Sequence, residues 1–156
     1  MYVIDVEASG LAAESYPIEI AWQDSKDPDN FDSFLLLPDP AWTYWDEYAE
    51  NEIHHISRAM LAEGGIPLEE ACERLNLKLS GKEVYSDAVD FDRNWIQRLF
   101  NTVSVEPTFT MRSIFDLLPE NAEQDYEALV SDQIVVHRAL DDARQIASLV
   151  ANISVI

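Results

Sequence analysis

Two carboxylates near the start of the chain, Asp5 and Glu7, have a spacing that suits a metal site. Residues 2–7 alternate as in a β-strand, which places Asp5 and Glu7 on one face and Ile4 and Val6 on the other. Neighbouring carboxylates repel each other unless a cation lies between them, and Mg²⁺ or Mn²⁺ requires oxygen ligands of this kind. The alternative is a solvated strand face, because an Asp-x-Glu triplet is common in a chain with 30 acidic residues.

A third carboxylate, Asp142, falls in the apolar stripe of a predicted helix. Its neighbour Asp141 belongs to the polar face and is expected to point to water. The stripe consists of Ala139, Ala143, Ile146, Leu149, Val150 and Ile153. An inward carboxylate is costly unless it is paired or binds a metal. The alternative is a partly buried Asp favoured by the dipole at the helix N-terminus.

His137 precedes Asp142 by five residues, and its intrinsic pKa suits a general base near neutral pH. In one continuous helix the two side chains would be separated by about 140° of rotation. They can meet at one site only if His137 lies in a loop or in the first turn. A surface or capping role is the alternative.

Three further carboxylates, Asp87, Asp90 and Asp92, surround a predicted strand end and the start of the next helix. Taken alone, this group is explained by helix capping and solvation, with Asp90 as the expected cap. A functional role for any of the three requires support from the rest of the chain.

The elements that position these residues follow from hydrophobic periodicity and turn signals. The predicted strands are residues 2–7, 17–22, 31–37, 83–86 and 108–111. The predicted helices are a short one capped by Ser57, and then residues 67–79, a helix from Asp90 with Phe91, Trp95 and Leu99 at four-residue spacing, 121–130 and 138–152. Strands followed by alternating strands and helices predict an α/β domain with a mixed sheet.

Composition predicts one globular domain over residues 1–156, with 47% apolar residues. No apolar run approaches the roughly 20 residues that span a bilayer, so no membrane association is expected. The single Cys72 cannot form an internal disulfide, which favours a reducing, cytoplasmic location.

The net charge of −20 argues against nucleic-acid binding, because phosphate contacts normally use Lys and Arg. Bound divalent metals supply positive charge that the sequence count omits, and a protein that grips a few terminal nucleotides needs few basic contacts. The charge therefore favours small or single-stranded ends over long duplex contacts.

The three acidic elements resemble, in order and spacing, the motifs of the DEDDh 3′–5′ exonucleases. Residues 5–11, Asp-Val-Glu-Ala-Ser-Gly-Leu, are similar to the first motif, Asp-x-Glu-x-Thr-Gly-Leu. Residues 91–96 resemble Phe-Asp-x-x-Phe-Leu, and residues 137–143, His-Arg-Ala-Leu-Asp-Asp-Ala, match the third motif closely. Residues 52–57 are similar to the intervening His-Gly-Ile-Thr segment.

The resemblance implies a ribonuclease H-like fold, a five-stranded mixed sheet flanked by helices, and two Mg²⁺ or Mn²⁺ ions. Asp5, Glu7, Asp92 and Asp142 would be the metal ligands, and His137 would be the general base. The implied activity is release of nucleoside 5′-monophosphates from the 3′ end of single-stranded or short RNA or DNA. The implied substrate contacts are the backbone at Ser9, Gly10 and Leu11, and the side chain of Arg138.

The chain departs from the family pattern in three places. Ser9 stands where Thr is common, and His55 replaces a Gly. The approach to the second motif carries Asp87, which leaves Asp87 as the alternative to Asp92 in the ligand set.

The aromatic residues of segment 42–48 could stack on bases, cover the core or form a homodimer interface. A non-catalytic interaction module on the same fold, acting as a subunit of a larger complex, is the alternative function.

Overall fold

A five-stranded mixed sheet forms the centre of the molecule, in a computed structural model that describes residues 1–119 and 122–153. The strands are β1 Tyr2–Ala8, β2 Pro17–Asp24, β3 Asp27–Leu35, β4 Glu83–Ser86 and β5 Thr110–Ser113. Their order in the sheet is β3-β2-β1-β4-β5. The first three strands form an antiparallel meander, and β4 and β5 run parallel to β1. The predicted α/β class and mixed sheet are confirmed.

Six α-helices accompany the sheet within the described residues. They are α1 Glu47–Ala49, α2 Arg58–Gly64, α3 Leu68–Leu79, α4 Val89–Val103, α5 Ala122–Ser131 and α6 Ala139–Ile153. A π-helical turn, Glu50–His54, continues α1, and a short 3₁₀ helix, Ile114–Leu117, follows β5.

The alternation of β1 separates two hydrophobic clusters, one on each face of the sheet. Ile4 and Val6 pack with residues of α3 and α4, such as Leu75 and Phe100. Val3 packs on the other face with α5 and α6. Asp5 and Glu7 share the face of Val3, because side chains of a strand alternate. The predicted faces of this strand are therefore confirmed.

Two predicted strand starts were wrong. Strand β3 begins at Asp27, not residue 31, because a tight hairpin pairs Asp27 directly with Asp24 and extends the edge strand through polar residues. Strand β5 begins at Thr110, since Thr108 is held by hydrogen bonds to Asn76 instead. Residue 121, the predicted start of α5, lies outside the described residues.

Helix α4 begins at Val89, so Asp90 is not its cap. Asp90 lies in the first turn and forms an exposed ion pair with Arg93. The buried face of the helix also differs from the prediction: Leu99 is buried as expected, but Phe91 is 51% exposed and Asp92 is buried.

The predicted starts of α2 and α3 are confirmed to within one residue. The Ser57 Oγ accepts a hydrogen bond from the Met60 amide at 3.1 Å, which caps α2. Pro67 immediately precedes α3. Among residues 1–119 and 122–153, no helix has the length and apolar character that crossing a membrane requires.

Two adjacent glycines provide a test of packing where α2 meets the sheet. A Cβ on Gly65 would lie 2.5 Å from the Leu61 carbonyl oxygen and 2.7 Å from backbone atoms of Leu36 and Leu37. A Cβ on Gly64 would lie 3.7 Å from a Leu35 methyl group. We expect Gly65→Ala to lower the free energy of unfolding by about 1–3 kcal/mol, because backbone cannot move aside as a side chain can. Gly64→Ala should be neutral or stabilising by up to about 1 kcal/mol. Urea unfolding of both variants checks this, and equal stabilities would contradict it.

Candidate active site

A cleft of about 360 Å³ opens at the carboxyl ends of β1 and β4. Five carboxylates and two imidazoles contribute to its walls: Asp5, Glu7, Asp87, Asp92, Asp142, His54 and His137. The part of the chain that the structure describes contributes no Lys or Arg to the lining. The cleft is therefore acidic, and the three sequence motifs converge on it.

Asp5 lies at the centre of the carboxylate group. Burial raises the pKa of Asp5 well above its usual range, and the negative charges of Asp92, Glu7 and Asp142 raise it further. Asp5 pairs with Ala21 of β2, and β1 also pairs with β4 at Tyr2 and Val3, so the backbone that carries this carboxylate is restrained. Its position is thus fixed by the sheet.

Glu7, His137 and Asp142 form the closest group of candidate ligands, with one atom of each lying within 4.8 Å of the others. Burial raises the pKa of Glu7 to about 8, and the charge of Asp142 contributes. Burial also raises the pKa of Asp142 to about 6. Like charges at this distance favour either protonation or a bound cation.

The loop before α6 brings His137 to Asp142. His137 has a left-handed backbone with φ of 54°, and α6 begins two residues later at Ala139. His137 is therefore outside the helix, which the five-residue spacing requires if the two side chains are to meet. Asp142 is buried and Asp141 is exposed, as the helical periodicity predicted. Burial lowers the pKa of His137, so its imidazole is neutral and can accept a proton at neutral pH.

Both candidates from the second motif reach the cleft. Asp92 is 2% exposed and accepts a hydrogen bond from the Ser86 hydroxyl at 2.5 Å. Asp87 is half-buried and accepts a hydrogen bond from the Tyr126 hydroxyl at 2.8 Å. Of the two, Asp92 has the stronger electrostatic effect on Asp5, whereas Asp87 has the weakest of the cleft carboxylates. Asp87 in turn has the largest electrostatic effect on Asp142, so both carboxylates face the group that surrounds the cleft.

The donor set fits divalent cations. The Asp5 Oδ2 and Asp142 Oδ1 atoms are buried and have no hydrogen-bond partner among residues 1–119 and 122–153. An unpartnered buried carboxylate oxygen is costly, and a hard cation would satisfy it while relieving the repulsion between the carboxylates. Asp5, Glu7, Asp92 and Asp142 would hold such ions.

The predicted substrate contacts fall into two groups. Gly10 and Leu11 line the cleft, and the Leu11 side chain is 70% exposed. Ser9 is fully buried, and its hydroxyl accepts a hydrogen bond from the Tyr16 amide at 3.1 Å. Arg138 is outside the lining, because its guanidinium donates to the Glu19 carboxylate.

Glu19 is a residue that the sequence analysis missed. It is 2% exposed on β2, and its oxygens accept hydrogen bonds from Arg138 Nε at 3.0 and 3.1 Å and Nη2 at 2.6 Å. It also accepts the Ala139 amide at 2.7 Å, at the first residue of α6. Glu19 therefore connects β2 to the loop of His137. The only signal in the sequence was a single acidic residue among the apolar residues of a strand.

The histidine segment forms another wall of the cleft. His54 is 2% exposed, and its Nδ1 accepts a hydrogen bond from the Ile56 amide at 2.9 Å. The exposed His55 has a left-handed backbone with φ of 56°. Glycine adopts this conformation at no steric cost, which explains why the similar motif has Gly at this position.

The aromatic segment 42–48 is divided between core and surface. Trp42 is 7% exposed and stacks on Tyr16 with ring centroids 5.4 Å apart. Trp45 is half-buried and Tyr48 is 67% exposed. Trp42 therefore covers the core, and Tyr44, Trp45 and Tyr48 are the aromatic residues of the segment with surface available for other contacts.

The raised pKa of Glu7 makes the stability of the metal-free protein depend on pH. The folded state holds this proton more tightly than the unfolded chain, where the pKa is 4.5, so the stabilisation is present below that pH and is lost as the pH rises towards 8. In EDTA, the free energy of unfolding should fall between about pH 5 and about pH 8, and Glu7→Gln should flatten this slope. Glu73→Gln, at an exposed position on α3, is the control. An identical slope in wild type and Glu7→Gln would contradict the prediction.

Loss of the Glu19 carboxylate should affect both stability and metal binding. Glu19→Ala leaves Arg138 and the Ala139 amide without their acceptor and should destabilise the fold by about 2–3 kcal/mol. Mn²⁺ affinity should also fall, because the loop of His137 and the start of α6 lose their anchor. Asp32→Ala removes the partner of Arg74 on β3, remote from the cleft, and is the matched control. If both variants bind Mn²⁺ equally well, Glu19 does not position the site.

Comparisons with known proteins identify the fold. No family model and no curated protein matches the sequence. Exonuclease I of E. coli, solved with a dA16 oligonucleotide, is similar in structure, with a TM-score of 0.74 and 14% identity over 95% of this chain and 39% of that chain. Exonuclease I of Methylocaldum szegediense gives a TM-score of 0.71 and 20% identity over 97% of this chain and 40% of that chain.

A third solved structure matches over most of both chains. The nuclease domain of 3′hExo, described as a DEDDh family member bound to rAMP, has a TM-score of 0.67 and 15% identity over 97% of this chain and 89% of that chain. The chain spans about 40% of the length of exonuclease I and nearly the whole nuclease domain of 3′hExo. The resemblance that the motifs predicted is thus confirmed at the level of the fold: the chain has the ribonuclease H-like fold of the DEDDh exonucleases.

Proposed function

We propose that this chain is a metal-dependent 3′–5′ exonuclease that releases nucleoside 5′-monophosphates from single-stranded or short ends of RNA or DNA. The observation that carries the proposal is the convergence of Asp5, Glu7, Asp92, His137 and Asp142 on one cleft. Two of these carboxylates have buried oxygens without partners among the described residues. The sequence motifs and the fold support the same assignment independently.

The residues of the cleft divide the chemistry between them. Two Mg²⁺ or Mn²⁺ ions, when bound by the four carboxylates, would stabilise the charge that develops on the attacking and leaving oxygens. His137 takes the proton of the attacking water, because its imidazole is neutral and lies beside Glu7 and Asp142. The left-handed backbone at His137 lies just before α6, and the imidazole lines the cleft beside Asp142.

The cleft suits the terminal nucleotides of a strand. Leu11 and Phe91 are exposed at its walls, and the Phe91 ring lies 5.8 Å from that of Trp95. Apolar and aromatic surfaces of this kind stack on bases of any sequence. Gly10 lets the backbone lie close to Tyr44 and Asp46, since a Cβ would be 2.9 Å from each. The substrate would therefore be held by stacking and by metal-phosphate contacts.

The comparisons support the substrate class. Two structures of E. coli exonuclease I contain dA16 and dT13 oligonucleotides, and the 3′hExo domain contains rAMP. These ligands belong to those proteins. For this chain they favour a nucleic acid or nucleotide over other phosphodiesters.

Substitution of cleft residues tests the proposed function. We expect Asp5→Ala to abolish Mg²⁺-dependent release of labelled monophosphates from a 3′-labelled oligonucleotide, because it removes the central carboxylate. His137→Ala should lower kcat by about 10²–10⁴-fold through loss of the base. Asp141→Ala, next to Asp142 but exposed, should retain wild-type activity. Full activity of Asp5→Ala or His137→Ala would overturn the assignment.

Metal titration distinguishes the proposed exonuclease from the alternative, a non-catalytic interaction module. A catalytic site should bind Mn²⁺, and Asp142→Asn should weaken binding far more than Asp141→Asn. Absence of specific Mn²⁺ binding by the wild-type protein would favour the non-catalytic module.

A further inference from the structure

Positive charge is unevenly distributed between the two ends of the sheet. The cleft lies at the carboxyl ends of β1 and β4, where the lining within the described chain has no Lys or Arg. Lys26 lies in the hairpin between β2 and β3, and Lys82 precedes β4 with its ammonium 5.2 Å from the Tyr2 ring centroid. Both lysines are thus at the end of the sheet opposite to the cleft.

Two arginines at the cleft end, Arg58 and Arg98, have no carboxylate within ion-pair distance among residues 1–119 and 122–153. Arg93 and Arg138, also near this end, are both ion-paired. In a chain with a net charge of −20, unpaired positive charge beside an acidic cleft needs an explanation. Such charge is the usual means of binding phosphate.

Both unpaired arginines lie over tryptophan rings. The guanidinium carbon of Arg58 is 5.4 Å from the ring centroid of Trp45, and that of Arg98 is 5.6 Å from Trp42. Tyr16 lies between the tryptophans, 5.4 Å from Trp42 and 6.4 Å from Trp45 between ring centroids. Burial raises the pKa of Tyr16, and the charges of both arginines oppose that rise, so both are close to its ring. We call these five residues the arginine–tryptophan ledge.

The ledge has a buried base and an accessible edge. Tyr16 and Trp42 are buried, and Arg98 is half-buried with its Nη1 donating to a backbone carbonyl at 2.8 Å. Arg58 is exposed and Trp45 is half-buried. A ligand would therefore contact Arg58 and the open edge of Trp45, with Arg98 adding positive potential beneath.

The ledge adjoins the cleft directly. His54 lines the cleft and makes an edge-to-face contact with Trp45, with ring centroids 6.0 Å apart. Gly10, another residue of the cleft wall, packs against Tyr44 of the same aromatic segment. These two contacts place the ledge beside the cleft wall, where the next nucleotides of a strand whose 3′ end occupies the cleft would lie.

We infer that the arginine–tryptophan ledge binds the single strand upstream of the nucleotides held in the cleft. Arg58 contacts a backbone phosphate, and the edge of Trp45 packs against a base. This inference rests on the proposed exonuclease function and extends it to substrate length.

The chemistry of the ledge favours this ligand over an acidic peptide. An arginine held over an aromatic ring offers its N–H groups to phosphate oxygens and its flat face to a base, and base–aromatic stacking tolerates any sequence. The neighbouring Glu50 accepts the Trp45 indole N–H with its Oε2 at 2.7 Å, which fixes the orientation of the ring. A dinucleotide contains one phosphodiester, the one that is cleaved, and so has no phosphate to offer the ledge.

Comparing cleavage of a long strand with cleavage of a dinucleotide distinguishes the contribution of the ledge from that of the cleft. We expect Arg58→Ala to raise KM for an oligothymidylate of about 12 nucleotides by about 3- to 10-fold, with kcat unchanged. The slope of log(kcat/KM) against log[salt] should become shallower by about 0.7, the loss of one single-strand phosphate contact. Cleavage of the dinucleotide dTpdT should be unaffected. Lys26→Ala, an exposed lysine at the opposite end, removes the same charge and should resemble wild type.

Arg58→Lys keeps the charge but loses the planar guanidinium over Trp45, and should recover the salt slope but only part of the affinity. The ledge inference fails if Arg58→Ala and Lys26→Ala have equal KM on the longer strand, or if Arg58→Ala impairs dTpdT to the same degree. Absence of cleavage of both substrates by the wild-type protein would overturn the proposed function instead. In that case fluorescence anisotropy of the labelled strand, with wild type and Arg58→Ala, still decides whether the ledge binds it.

Discussion

Five carboxylates share one cleft and repel one another. The rest of the fold must hold them in place against this repulsion. Asp5 is fixed in the middle of the sheet, between neighbouring strands and two hydrophobic clusters, so it cannot relieve the repulsion by moving. Protonation offers partial relief, which the raised pKa values of Glu7 and Asp142 express. A bound cation offers full relief, and it converts an unfavourable cluster of charges into a ligand set. On the proposed function, metal affinity would come from the repulsion between carboxylates that the hydrophobic core holds in place.

The Glu19–Arg138 pair performs a different task with the same kind of group. Here a buried carboxylate is satisfied by a guanidinium and by the first amide of α6, and it lines no part of the cleft. The pair holds the loop of His137 against β2, 119 residues away in sequence. Glu19 thus supports the structure, whereas Asp5 and Asp142 line the cleft and each have a buried oxygen without a partner among the described residues. Glu19 and Asp5 stand on neighbouring strands of one sheet.

Local periodicity predicted the parts of the site whose geometry is local. Strand alternation paired Asp5 with Glu7, and helical rotation separated Asp142 from Asp141 and required His137 to lie outside the helix. The same reasoning misplaced the start of α4. The Ser86 hydroxyl accepts a hydrogen bond from the Ala88 amide just before the helix, and α4 begins at Val89 without a side-chain cap. Glu19 could not be recognised, since its burial and its contact with Arg138, 119 residues away, define its role. The first half of β3 was missed because an exposed edge strand need not alternate.

That edge strand has a consequence for self-association. β3 forms one border of the sheet, and it carries Asp27, Asp29 and Asp32, with Pro28 lacking a backbone donor. Another strand adding here would bring its own backbone alongside these negative charges, and a second copy of the same strand would oppose carboxylate to carboxylate. Acidic side chains and a proline on an open edge protect a protein from edge-to-edge pairing and from aggregation. A homodimer of this chain is accordingly expected to form through a surface other than β3.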